Sequence, residues 1–250
     1  INTKYNLSKK LLENISSIER LYGQLESQVV PKELLLNLEK QNLIKSSFSS
    51  SSIEGNPLSQ EEVTNLILGG RVPANRDEKE VRNYFDILKQ IGKEYNVLDI
   101  DTILKIHKQL LEGVENEIGG EIRDRKVVVG NPTQDGTIVI KHEPPKHKRE
   151  EIEELLKELL DWTNTSEELP ILKAGIYHHE FVYIHPFVDG NGRVCRLTTT
   201  LLLDKLGYRI NKYFILDDYY DIDRIMYSDS LHSADSGDKT EWLEYFTDGV

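Results

Sequence analysis

The chain has 250 residues, which is enough for one large domain or for a core domain with an extension. Its net charge of -12 argues against a chain-wide nucleic-acid surface, and no apolar run is long enough to span a bilayer. Because Cys195 is the single cysteine, no disulfide can form within the chain, and we expect a reducing, cytoplasmic compartment.

Two helical segments are predicted at the start of the chain. Apolar residues recur at helical spacing across residues 5–45, and Pro31 marks a break between the segments. The serine-rich stretch that follows, residues 46–52, is typical of a flexible linker.

Signals for the end of one helix and the start of another follow the serines. Gly55 and Pro57 are stop signals just after Glu54. Ser59 and Glu62 have the spacing of a capping box, which would open the next helix.

The rest of the chain is predicted to be helical apart from one β-hairpin. Two β-branched runs, 127–129 and 137–140, flank turn-forming residues that include Asp135 and Gly136. The pattern predicts an all-α fold with one hairpin and an N-terminal helical extension, divided into regions 1–95 and 96–250. Further helices are predicted over 79–95, 99–113, 149–163 and 170–184, after Gly192, and over 217–248.

A glycine-rich turn, residues 190–192, joins two of these helices. Pro186 disfavours helical geometry at His185, so the first helix is predicted to end there. The free N–H groups of the turn, at the start of the next helix, form a ready anion site. Arg193 and Arg196 share one helix face beside it and suit a polyphosphate.

Two further side chains of this segment suit chemistry. Asp189 offers a hard oxygen ligand for Mg²⁺, which usually binds carboxylates together with substrate phosphates. His185 can take up a proton near neutral pH. Each feature alone is commonly structural, but their coincidence in one short loop favours displacement at phosphorus.

Residues 185–196 match the Fic family signature, His-x-Phe-x-(Asp/Glu)-Gly-Asn-Gly-Arg-x-x-Arg. The resemblance continues through residues 174–184 before the signature and through 217–220 and 236–238 after it, so it covers nearly the whole chain. It implies a Fic-type helical core in which the hairpin, residues 127–140, is a target-binding flap. It also implies a protein adenylyltransferase, which transfers AMP from ATP to a Ser, Thr or Tyr hydroxyl of a target protein or of the chain itself.

The resemblance implies a role for each matching residue. His185 would be the general base, Phe187 would anchor the loop in the core, and Asp189 would hold Mg²⁺. The intact glycine-rich turn favours transfer of AMP over the phosphate transfer of the Doc type. The nucleotide would be bound by Gly190, Asn191, Gly192, Arg193 and Arg196, with Asp235 near the adenine, and the target segment would be bound by Val129, Gly130 and Ile140 through strand addition.

The serines acquire a second interpretation from the same resemblance. Ser50, Glu54 and Gly55 fit the family's inhibitory motif, (Ser/Thr)-x-x-x-Glu-(Gly/Asn), in the class with an N-terminal inhibitory helix. The resemblance implies that the Glu54 carboxylate forms a bidentate pair with Arg196 and blocks the γ-phosphate of ATP.

Several alternatives stay open. The donor could be another nucleotide such as UTP or CDP-choline, Glu54 could support removal of AMP, or the chain could be a nucleotide-binding regulatory module. Related proteins often continue into a winged-helix DNA-binding domain, whereas nothing within residues 1–250 resembles a DNA reader. Homodimerisation is also open.

Cys195, where many members have glycine, is either packed or a reactive thiol, and packing is favoured.

Overall fold

Helices dominate the fold. The computed structural model describes residues 1–132 and 138–250, and the strands it contains form one two-stranded antiparallel hairpin. The all-α prediction with one hairpin is therefore confirmed. The helices are α1 Lys9–Ser27, α2 Lys32–Ile53, α3 Gln60–Gly69, α4 Arg76–Leu88, α5 Ile100–Leu110, α6 Arg149–Thr165, α7 Pro170–Ile184, α8 Asn191–Lys205, α9 Ile210–Tyr213, α10 Leu216–Ile222, α11 Arg224–Ser233 and α12 Thr240–Gly249.

Helix α7 forms the centre of the core. Proline at its first position suits a helix start, where the missing N–H would have no partner. From Ile171 to Phe181 every side chain is buried, as is typical of a helix enclosed on all sides, and α6, α8 and α12 pack around it. Helix α8 is almost as deeply buried. The loop between these two helices, residues 185–190, therefore joins two deeply buried helices.

Helix α2 runs through the serine-rich stretch, so the linker interpretation is wrong, and the inhibitory role of this helix stays a prediction. The serines are buried between α2 and its neighbours α4, α9 and α10. Their small side chains permit close packing, and some hydroxyls bond locally: Ser47 Oγ donates to the Leu43 carbonyl oxygen at 2.7 Å. Gly55, with φ of 87°, ends the helical turn that includes Glu54.

Capping residues explain where α3 and α4 begin. The capping box of Ser59 and Glu62 is present at the start of α3, as predicted. Helix α4 begins three residues earlier than expected because Asn75 accepts from the backbone N–H of Glu78 at 2.9 Å. The segment 217–248, predicted as helix with turn residues at 236–238, is divided into α10, α11, a 3-10 turn at Ala234–Ser236 and α12, so the predicted turn lies at the break before α12.

The hairpin consists of β1 Val129–Pro132 and β2 Ile138–His142, so the predicted strands lie about two residues too early. Gly130 pairs with Ile140, and an irregularity separates this pair from that of Val129 with His142. The predicted turn residues Asp135 and Gly136 lie outside the described residues. The three predicted target-binding residues therefore lie together on the paired strands.

The predicted division at residues 95 and 96 falls between α4 and α5. These two helices pack against each other, and the division stays a prediction. Within residues 1–132 and 138–250, no helix has both the length and the apolar character needed to cross a membrane.

Candidate active site

His185 lies at the C-terminal cap of α7. Its φ of 51° and ψ of 64° are left-handed, and no other non-glycine residue of the described chain has positive φ. Such a conformation costs about 1–3 kcal/mol and occurs preferentially at functional sites. Nδ1 lies 3.3 Å from the Val182 carbonyl oxygen and donates to it, which leaves Nε2 as a proton acceptor. Burial lowers the pKa of His185 to about 4, so the ring is neutral at pH 7.

A buried arginine, Arg123, fixes the backbone around His185. Its Nε donates to the His185 carbonyl oxygen at 2.7 Å, and a terminal nitrogen donates to that of Ile184 at 3.3 Å. Its backbone N–H donates to the Pro186 carbonyl oxygen at 3.0 Å. Sequence reasoning missed Arg123 because it precedes His185 by 62 residues and lies in no motif.

The loop is also closed from within. The Asn191 side chain accepts from the Phe187 N–H and donates to the Phe187 carbonyl oxygen, both at 2.9 Å. Phe187 is buried and stacks on the His107 ring with centroids 3.7 Å apart. His107 Nδ1 accepts from Gly120 N–H at 3.0 Å, so its Nε2 donates to the Asp189 carbonyl oxygen at 3.1 Å. The Asn191 side chain is thus held by both backbone groups of Phe187.

Asp189 and Arg193 lie where the loop opens to solvent. One Asp189 oxygen accepts from Gly190 N–H at 2.6 Å and the other from Arg193 at 3.3 Å. The Asp189 side chain is 42% exposed, whereas Arg193 is buried and its Nε has no hydrogen-bond partner. An unpaired buried donor suits an anionic oxygen, and an accessible carboxylate beside it suits Mg²⁺ bound together with phosphates. These residues therefore fit a Mg²⁺–nucleotide.

Arg196 joins α8 to the end of α2. Its Nε donates to Ser50 Oγ at 2.6 Å, and a terminal nitrogen donates to the Ser50 carbonyl oxygen at 2.9 Å and to the Glu54 carboxylate at 2.7 Å. The pair with Glu54 is therefore present, but through one hydrogen bond rather than the bidentate pair expected, because Ser50 takes the other bonds. Burial acts to lower the pKa of Arg196, yet the Glu54 carboxylate holds it above its ordinary value. The side chain of Glu54 is 33% exposed against 2% for Arg196, so Glu54 is the partner that can move.

The Glu54 carboxylate also lies against the first turn of α8. A Cβ atom added to Gly192 would collide with this carboxylate and would lie 3.1 Å from Arg196. The first N–H groups of a helix have no partner within the helix, and the helix dipole favours a negative charge there. Gly192, the start of α8 and Arg196 therefore form an anion site, and in this structure a carboxylate fills it.

Comparison with known proteins agrees with this geometry. The model of the Fic/DOC family matches residues 97–203, a range that contains the whole loop. The chain carries a Fic/DOC family domain.

Curated relatives match over most of this Fic chain. Protein adenylyltransferase fic-1 of Caenorhabditis elegans is 26% identical over an alignment of 255 residues, gaps included. The alignment covers 96% of this chain and 45% of the relative. Protein adenylyltransferase Fic of Aedes aegypti is 30% identical over 227 residues, which cover 86% of this chain and 41% of the relative. The chain thus spans less than half the length of these relatives.

Solved structures share the fold. A Fic family protein from Desulfovibrio desulfuricans superimposes with a TM-score of 0.84 at 29% identity, covering 98% of this chain and 73% of that one. Fic-1 from C. elegans superimposes with a TM-score of 0.75 at 25% identity, covering 95% and 68%.

A second carboxylate lies behind Arg196 in the Fic chain. Asp217 Oδ1 is 3.6 Å from Arg196 Nε, and Asp217 is buried and accepts hydrogen bonds from the hydroxyls of Ser46 and Tyr84. Burial raises the pKa of Asp217, although Arg196 acts to lower it. Asp217 is therefore a second acidic group within 4 Å of Arg196, and it is held by its own hydrogen bonds. No motif marks this contact, which depends on the packing of α10 against α2.

The flap is anchored to α7 through His142, another residue that sequence reasoning missed. His142 Nε2 donates to the Tyr183 carbonyl oxygen at 2.9 Å, and Nδ1 lies 2.9 Å from Asp235. Asp235 also contacts His179 at 3.0 Å and His232 at 3.1 Å. Burial acts to raise the pKa of Asp235, but its contacts with His142, His179 and His232 outweigh it and hold the pKa well below its usual range. The contact of Asp235 with adenine stays a prediction.

Cys195 is a packing residue. It is buried, and its Sγ donates to the His178 carbonyl oxygen at 3.3 Å. Burial raises the pKa of the thiol, so the reactive thiolate is suppressed. The packing interpretation is confirmed, and the reactive thiol is not supported.

Proposed function

We propose that this Fic chain is a protein adenylyltransferase that uses ATP and is held inactive by Glu54. The observation that carries the proposal is the Glu54 carboxylate in the anion site of Gly192 and Arg196. A site built for one anion also suits the γ-phosphate of ATP, and the two cannot occupy it together. The names of the C. elegans and A. aegypti relatives support the same activity.

The proposed reaction uses His185 as the base. The oxygen of a target hydroxyl forms a bond to the α-phosphorus of ATP, the bond from that phosphorus to the β-phosphate oxygen breaks, and pyrophosphate leaves. The hydroxyl proton passes to His185 Nε2, which is free because Nδ1–H is donated to the Val182 carbonyl. Backbone N–H groups of residues 190–192, together with Arg193 and Arg196, would bind the phosphates. Mg²⁺ held by Asp189 would neutralise part of the phosphate charge.

The acceptor would bind at the flap. Val139 and Ile140 expose apolar side chains on a short two-stranded ribbon whose edges are available for pairing. A target segment added as a further strand would bring its hydroxyl towards His185, because His142 ties the flap to the residues just before it. We place the reaction in the cytoplasm, since the single cysteine is buried and unpaired.

Removal of the Glu54 carboxylate tests the proposal. The Glu54→Gly variant is incubated with Mg²⁺, cell lysate and ATP labelled at either the α- or the γ-phosphate, and the proteins are then analysed by autoradiography and mass spectrometry. Transfer of the α-label should rise at least tenfold over the wild type, because a hydrogen bond to a charged group contributes about 1.5–3 kcal/mol. The modified Ser, Thr or Tyr should gain one adenylyl group.

Two variants control this experiment. Glu33→Gly removes an exposed glutamate from the same helix, α2, and should leave transfer at the wild-type level. Adding His185→Ala to Glu54→Gly should abolish transfer while ATP still binds by calorimetry. Transfer of the γ-label in place of the α-label would refute AMP transfer. Unchanged activity of Glu54→Gly would refute inhibition by the Glu54 carboxylate. Parallel assays with UTP, CTP and GTP test the donor.

A further inference from the structure

Three side chains converge where the flap meets α7 and the C-terminal helices. His142 Nδ1 and His232 Nδ1 lie 2.9 Å and 3.1 Å from the same oxygen, Oδ2 of Asp235. All three atoms lie within 4.8 Å of one another, and the two imidazole rings are stacked with centroids 5.6 Å apart. Two imidazole nitrogens and one carboxylate oxygen form a donor set that suits Zn²⁺ and related ions.

The surrounding hydrogen bonds determine which atoms are free to bind a cation. A carbonyl oxygen only accepts, so the proton of neutral His142 lies on Nε2, which donates to Tyr183. Its Nδ1 lone pair then points at Asp235. Lys239 Nζ donates to His179 Nδ1 at 2.7 Å, so His179 Nε2 donates to Oδ1 of Asp235 at 3.0 Å. The lone pairs of His142 Nδ1 and Asp235 Oδ2 therefore face each other at 2.9 Å, and a positive charge, either a proton or a metal ion, stabilises this arrangement.

The environment meets the usual requirements of a metal site. Histidine ligands normally donate their second ring N–H to a carbonyl or carboxylate, and ligating carboxylates are themselves hydrogen-bonded. His142 meets the first condition through Tyr183, and Asp235 meets the second through His179. A cavity of about 240 Å³ is lined in part by Asp235, so this carboxylate can be reached from outside the helical core.

The charges nearby are also compatible with a bound cation. The ammonium group of Lys239, which lies on the far side of His179, is paired with the Glu180 carboxylate at 2.6 Å. Lys141 of the flap is paired with Asp229 at 3.1 Å. Each of these two lysines therefore has its own carboxylate, and neither needs Asp235 as its counter-ion.

We propose that His142, His232 and Asp235 bind one divalent transition-metal ion such as Zn²⁺. The site has three protein ligands and an open position for water, and it is separate from Asp189, where Mg²⁺ would bind with the nucleotide. The ligands come from β2, α11 and the 3-10 turn at Ala234–Ser236, so the ion would tie the flap to the C-terminal helices. Binding is independent of the transferase reaction and is measured without ATP.

Metal binding to the full chain tests the proposal directly. Metal-free protein is titrated with Zn²⁺ by calorimetry and with Co²⁺ by visible absorption, whose d–d bands report nitrogen ligation and low coordination number. One ion should bind per chain, and Zn²⁺ should raise the melting temperature. His232→Ala and Asp235→Asn should each weaken binding at least tenfold and remove the Zn²⁺-dependent rise in melting temperature.

Matched variants separate this site from others. His147→Ala removes a histidine outside the cluster, and Asp189→Asn removes the proposed Mg²⁺ ligand; both should bind Zn²⁺ as the wild type does. His232 is the partly exposed member of the histidine pair, so His232→Ala should retain the fold, which circular dichroism checks. Absence of saturable binding at one ion per chain, or binding that survives His232→Ala and Asp235→Asn, would overturn the proposal.

Discussion

The two sides of His185 are built in opposite ways. On one side, the loop and α8 are buried, and Phe187, Asn191 and Arg196 are each held by specific partners. On the other side, the flap exposes Val139 and Ile140, which are 57% and 55% accessible. The loop side is organised before any ligand arrives, as a site for phosphate chemistry requires. The flap side leaves backbone and apolar surface free, which suits acceptors of varied sequence.

On the loop side, the largest loss of activity is expected from removal of the Arg123 side chain. Arg123→Ala, introduced into the active Glu54→Gly chain, leaves the carbonyl oxygens of His185 and Ile184 without their donor. A displacement of the base by about 1 Å can cost roughly a hundredfold in rate, so kcat should fall by about that factor while ATP affinity changes little. Steady-state kinetics and calorimetry measure the two quantities.

The exposed neighbour Arg125 supplies the matched control for Arg123. The side chain of Arg125 is outside the network, so Arg125→Ala should leave kcat unchanged. If Arg123→Ala folds normally and retains full kcat, the positioning of His185 does not depend on this arginine.

The anion site should be blocked by a single methyl group. Gly192→Ala places a Cβ atom where the Glu54 carboxylate lies, so it fills the space that a phosphate would occupy. ATP affinity of the Glu54→Gly chain should fall about tenfold, the equivalent of one charge-assisted hydrogen bond. Gly69→Ala, at a position with open space around it, is the control for the calorimetric titration. Equal ATP affinity of the two alanine variants would argue that the nucleotide does not approach Gly192.

A substitution on the flap side should change only the binding of the acceptor protein. Ile140→Asp replaces an exposed apolar side chain of β2 with a charge that opposes docking of an apolar segment. The KM for the protein target should rise about tenfold, with ATP affinity and kcat unchanged, since the loss of one apolar contact is worth about 1–2 kcal/mol. Leu68→Asp changes an equally exposed residue of α3 and should have no effect. A fall in ATP affinity in Ile140→Asp would show that the two sides are not separable.

The smallest expected effect is on the pH dependence of kcat/KM. Burial lowers the pKa of His185 to about 4, and the base acts only when unprotonated. The kcat/KM of the Glu54→Gly chain should therefore stay level as pH falls through about 6.5, where an unperturbed histidine would lose activity, and should decline only as pH approaches 4. An inflection near 6.5 would mean that His185 is well solvated or that another histidine is the base.

Much of the site depends on local sequence and was predictable. Pro186 ends α7 at His185, glycine supplies the left-handed turn at Gly190, and the capping box of Ser59 and Glu62 opens α3, all through forces that act within a few residues. The Fic signature added roles that spacing alone leaves open. The contact between Glu54 and Arg196, 142 residues apart, was anticipated only through that resemblance.

Only the tertiary structure decided the rest. The serine stretch has the composition of a linker but forms a buried helix, because Arg196 and Asp217 supply partners for Ser50 and Ser46 from more than 140 residues away. Arg123 stands out in no pattern until its guanidinium meets the carbonyl of His185. Periodicity and spacing report interactions between neighbours in the chain. The hydrogen bonds that orient the base, retain Arg196 and gather histidines around Asp235 join distant segments, and packing of the helices alone brings these together.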